Sequence, residues 1–75
     1  MNVRGSQNTV IEISSVRQAA EYLILHWPDD AIGRWKHLEA QVACLDVLEG
    51  KQDSQYARQA FEDAAREAGI LVTET

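Results

Sequence analysis

Between Trp35 and Leu48 the apolar residues fall on two sides of a helix. At about 100° per residue, Trp35, Leu38, Val42, Leu45 and Leu48 form one stripe, while Ala40, Cys44 and Val47 form another roughly opposite. Glu39 and Asp46 leave only a narrow polar wedge between them. A helix that is apolar on two sides needs cover on two sides. The pattern therefore predicts a second helix sandwiched at the centre of the fold, with the remaining elements arranged around it.

Those elements are separated by turn and stop signals. Gly5-Ser6-Gln7-Asn8 is a turn cluster, Trp27-Pro28-Asp29-Asp30 ends one helical pattern, and Gly50 and Gly69 end two more. Thr9 to Ile13 is rich in β-branched residues and alternates, with Thr9, Ile11 and Ile13 on one face and Val10 and Glu12 on the other. This is the pattern of a half-buried strand over 9–13. Val3 and Arg4 can supply a hairpin partner within 1–8, and 70–73 a short C-terminal strand. Ser15 and Gln18 have capping-box spacing, and Val16, Ala19, Ala20, Leu23 and Trp27 recur at helical intervals, predicting a first helix over 15–27. Tyr22 and Leu25 lie off that face, so a second surface is expected to cover them.

The second helix is predicted over 31–49 and the third over 54–68, capped by Asp53 or Ser54. Ala57, Ala60, Phe61, Ala64, Ala65 and Ala68 give the third helix a smooth face that permits close packing, with Phe61 its single large side chain. Glu62 and Arg66 on its solvent face are spaced for an i to i+4 pair. The predicted architecture is α+β: a short N-terminal strand or hairpin, three packed helices and a short C-terminal strand.

Length and composition bound the rest. A chain of 75 residues with 45% apolar and 25% charged residues has the makeup of one small globule. No uninterrupted apolar run exceeds four residues, against the roughly 20 a spanning helix needs, so a soluble, cytoplasmic chain without membrane contact is expected. Cys44 is the only cysteine, which excludes an intramolecular disulfide. So small a core rarely supplies more than about 3–5 kcal/mol, which favours an unidentified protein partner or a weak homodimer.

The net charge of −5 is unevenly placed: 1–37 has four basic and four acidic residues, 38–75 three against eight. That field disfavours nucleic acid, whose phosphates are bound through Lys and Arg. Arg34, Lys36 and His37 are the one basic cluster. With Gly33 opening the helix before them, they are the candidate contact for an anion or nucleic acid.

Other chemistry is weakly signalled. Cys44 and His37 are seven residues apart, a helical rise of about 10 Å, too far to share one metal. His26 and His37 have carboxylates in the chain to orient them, but no nucleophile elbow, phosphate-cradling glycine loop or HExxH motif accompanies them. No catalytic residue, cofactor or metal is expected, and Cys44 reads as a small buried side chain. Arg58, at the rim of the alanine face, is expected to meet Asp46, Glu62 or a helix-end carbonyl. Trp27 and Trp35, on either side of Pro28, are expected first as core packing around that turn. With Tyr22, Leu25 and Arg58 they form the candidate partner surface, because exposed aromatic edges and arginines are enriched at interfaces.

The ordered set Ser15-Val16, Ala19-Ala20, Leu23, Trp27-Pro28, Gly33, Ala40, Ala43-Cys44-Leu45-Asp46, Leu48 and Gly50 continues through Ala57-Arg58, Ala60-Phe61, Ala64-Ala65 and Glu67-Ala68-Gly69-Ile70. At these spacings, over roughly 9–72, the chain resembles the bacterial domain-of-unknown-function family numbered 982. Members usually have a longer strand before the first turn than Met1 to Arg4 supplies here. The resemblance implies a small α+β domain with no established activity and carries over no functional residue. The residues themselves favour a non-enzymatic interaction module, ahead of an anion-binding or nucleic-acid-binding accessory protein and of a small enzyme.

Overall fold

A computed structural model describes residues 1–5 and 9–72. In chain order the elements are β1 (Asn2–Arg4), β2 (Val10–Glu12), α1 (Val16–Leu25), α2 (Trp35–Leu48), α3 (Ser54–Ala68) and β3 (Leu71–Val72). A 3-10 turn, Asp29–Ala31, precedes α2. The class is α+β. Ser6 to Asn8 of the turn cluster and Thr73 of the C-terminal strand lie outside the described residues.

The three strands form one antiparallel sheet in the order β2-β1-β3, so the N-terminal strand is its centre. Val3 pairs with Ile11 on one side and Leu71 on the other. Alternation along the second strand segment places Ile13 in the core and leaves Ile11 half-buried, while Val10 and Glu12 face outward. The sheet meets the helices chiefly through α3 and leaves Leu25 uncovered at 69% exposure.

Each helix end has a local cause. The Ser15 hydroxyl caps α1 by accepting from the Gln18 N–H at 3.1 Å. The Gln18 side chain reaches back one residue further than a simple capping box, accepting from the Ser14 N–H at 3.0 Å. Asp53 caps α3 by accepting from the Tyr56 N–H at 3.1 Å. At the other end Gly69, at φ 74°, lets Ile70 N–H reach Ala65 O at 2.9 Å and its own N–H reach Arg66 O at 3.1 Å. Those two bonds make a Schellman close.

Two helices are shorter than the sequence predicts. α1 stops at Leu25, before Trp27, and α2 starts at Trp35 and not at residue 31. Ile32 is extended and Gly33 has a φ of 84°, left-handed backbone that breaks the helical path between the 3-10 turn and α2. On the surface of α3, Glu62 pairs with Arg58 at 3.7 Å and Arg66 with Asp63 at 3.2 Å, replacing the expected Glu62–Arg66 pair.

The core forms where α1 and α3 close on the small-residue side of α2. Phe61 is fully buried, with the Trp27 ring 5.6 Å away edge-on and the Tyr22 ring at 6.5 Å. Ala40, Cys44, Ala57, Ala64 and Ala65 fill the space between the helices, and Val3 and Ile13 join from the sheet end. A radius of gyration of 11.3 Å matches the value of about 11 Å for a compact chain of this length.

Candidate interaction surface

The compact core covers only one of the two apolar sides of α2. Ala40, Ala43 and Cys44 are buried against α1 and α3. Trp35 is 70% exposed, Leu38 47%, Val42 58%, Leu45 54% and Leu48 55%. The expected sandwich is therefore corrected: the small stripe is enclosed and the large one is not. The reason is packing distance. Alanine and cysteine let two helices approach α2 closely, and neither of them nor the sheet then extends to its far side.

Alongside this ridge runs a groove of about 520 Å³ between α2 and α3. Trp35, Leu38 and Val42 form one wall, Tyr56 and Ala60 the other, and Ala43 lies between them. Its polar margin is Glu39, Gln59, Asp63 and Lys36, whose Nζ lies 3.3 Å from Glu39 Oε2. Tyr56 is 48% exposed, and together with the stripe it presents on the order of 600 Å² of apolar surface. That is at the upper end of the largest patches on ordinary monomers, which are often functional.

Of the five residues expected at a partner surface, only Trp35 belongs to this patch. Tyr22 and Trp27 are core residues, 5% and 4% exposed, and leave the candidate surface. They are buried because Phe61 supplies an aromatic neighbour that the helical spacing of α1 alone does not reveal. Leu25 is exposed beside Ile24 at the end of α1. Arg58 is exposed on α3, paired with Glu62, beside a smaller recess of about 280 Å³ that Met1, Ser15 and Val16 also line. Sequence reasoning passed over Tyr56, Ile24 and Ile32. The available signal for Tyr56 was its place on the Ala60 flank of the alanine face, an aromatic where a solvent face needs none.

The basic cluster does not stay together. His37 is 4% exposed, and its Nε2–H donates to Leu23 O of α1 at 2.8 Å. Its Nδ1 accepts the Gly33 N–H at 3.2 Å, which assigns the ring proton to Nε2. Both His37 and the Gly33 donor are thereby consumed inside the fold, and neither can face an anion. Arg34 Nε donates to Asp30 O at 3.1 Å, and Lys36 is engaged by Glu39. These two remain as the solvent-facing members of the cluster.

Cys44 is fully buried, and that burial pushes its thiol up from 9.0 to about 11. A thiol so placed holds its proton at neutral pH and behaves as a small apolar side chain. His26 is exposed at the C-cap of α1, its ring 5.6 Å from that of Tyr22. Among the described residues no three His, Cys, Asp or Glu side chains gather as a metal site would need. Among them, too, no helix is long and apolar enough to cross a membrane.

The family model described as "Protein of unknown function (DUF982)" matches residues 2–72. No curated protein and no solved structure matches the chain.

Proposed function

The chain belongs to the DUF982 family, and from that premise we propose that it is a small non-enzymatic interaction module of the cytoplasm that docks a protein partner on the outer face of α2. The observation that carries this reading is the exposed stripe Trp35, Leu38, Val42, Leu45 and Leu48 on a helix whose other side is fully packed. Leaving five large apolar side chains about half exposed forgoes burial worth roughly 1 kcal/mol each. A docked protein would recover part of that, and the polar margin of Lys36, Glu39, Gln59 and Asp63 would form its rim. A catalytic role lacks comparable support, because the buried thiol is held protonated and His37 is committed to backbone groups.

The test uses Leu38→Glu/Val42→Glu, two charges on exposed positions. Tagged wild type and double variant serve as bait in native extract, followed by direct binding with purified components. A partner, including untagged copies of the chain itself, should bind the wild type directly and not the folded variant. Equal retention by both would sink the reading.

A further inference from the structure

The outer face of α2 offers both a ridge and, beside it, a groove of about 520 Å³. We infer that its occupant is a second copy of this chain, related by a two-fold axis with the two α2 helices antiparallel. The inference rests on the reading of this face as a docking surface and names what docks there.

Spacing supports a self-complementary seam. Trp35, Leu38, Val42 and Leu45 follow each other at intervals of three, four and three, the repeat along which paired helices interlock. The run is also symmetric about Ala40. Reversing one helix sets Trp35 opposite Leu45 of the other copy and Leu38 opposite Val42, so each large side chain meets another without a slip in register. In an isologous contact the same surface must supply projection and recess. Here Leu38 and Val42 project, 47% and 58% exposed, and in this register those of one copy stand at the level of the recess that the other copy's Leu38 and Val42 form with Tyr56 and Ala60.

Area and charge agree with that geometry. About 600 Å² of apolar surface per copy gives a pair near 1,200 Å², the lower limit for a specific interface. The dimer is therefore expected to be weak, with a dissociation constant in the micromolar range. Arg34 stands at the N-terminal end of α2 and Asp46 at its C-terminal end, which this register sets opposite one another, while Lys36 and Glu49 are already paired within the chain with Glu39 and Lys51. Antiparallel docking brings each basic end to the level of an acidic one and opposes the two helix dipoles. Parallel docking would stack like on like.

Sedimentation velocity over a concentration series, with circular dichroism as the check on folding, decides the matter. Wild type should pass from monomer to dimer, with Trp35 emission moving to the blue as it does. Leu38→Glu/Val42→Glu should be a folded monomer, its dissociation constant weaker by at least about tenfold. In a Cys44→Ala background, an equal mixture of Trp35→Cys and Leu45→Cys chains should oxidise mainly to the mixed disulfide. Self-disulfides of each chain would overturn the antiparallel arrangement. A wild type that stays monomeric at high micromolar concentration, or a double variant that dimerises equally well, would overturn the second copy as occupant. If such a monomer still binds a purified partner through Leu38 and Val42, the docking surface stands and only its occupant changes. A double variant that fails to fold would show the stripe to be structural, and both readings fall.

Discussion

The His37 imidazole of α2 donates its Nε2–H to the Leu23 carbonyl of α1 at 2.8 Å. Leu23 O is among the last four carbonyls of α1, which have no partner within the helix. The same ring accepts the Gly33 N–H on Nδ1 and packs against Trp27, the ring centres 5.5 Å apart. One buried side chain thus joins the end of the first helix, the left-handed turn and the start of the second helix.

Replacing that ring by an apolar one should expose this role. His37→Leu leaves a buried carbonyl and a turn N–H without partners, and is expected to lose about 1–3 kcal/mol. His37→Gln, which keeps a donor and an acceptor, should recover part of it. Urea denaturation midpoints of the two variants provide the comparison, and equal midpoints would refute the hydrogen-bond account.

Phe61 is the largest fully buried side chain and touches the aromatic cluster from α3. Phe61→Ala is expected to cost about 3–5 kcal/mol, comparable to the whole stability of so small a domain. A melting temperature within a few degrees of wild type would show that α3 is not held through this residue.

Cys44 should tolerate Ala, whereas Cys44→Leu should overpack the helix contact and cost about 1–3 kcal/mol. The raised thiol pKa has a signed consequence. An acid whose pKa is higher in the folded chain keeps its proton there after the unfolded chain has lost it. Stability is therefore unaffected below pH 9.0 and falls as pH rises towards about 11. This contribution amounts to at most about 3 kcal/mol. Burial raises Tyr22 in the same direction, so the slope is read as the difference between wild type and Cys44→Ala. Identical alkaline slopes, or rapid labelling of the native thiol by a bulky reagent, would contradict its burial.

Leu25 distinguishes the two exposed apolar sites. It is 69% exposed and outside the α2 patch, so Leu25→Glu should shift stability by no more than about 0.5 kcal/mol and leave self-association unchanged. Loss of the dimer in this variant, measured by sedimentation beside Leu38→Glu/Val42→Glu, would move the seam from α2 to the end of α1.

Local chemistry made much of this fold legible in the residues alone. Ser15 and Asp53 cap helices because their oxygens meet free backbone N–H groups, Gly69 closes one because it accepts left-handed backbone, and the alternation from Thr9 to Ile13 marks a strand with one side inward. Such signals act within a few residues of chain, as does the two-stripe pattern of α2. Which stripe would be enclosed, and whether His37, Tyr22 and Trp27 would face water, depended on neighbours distant in sequence. The tertiary structure decided those points by fit: α1 and α3 approach closely only where α2 presents Ala40, Ala43 and Cys44, and Phe61 fills the space that they enclose. Two helices and a three-stranded sheet have too little surface left to cover Trp35, Leu38, Val42, Leu45 and Leu48 as well.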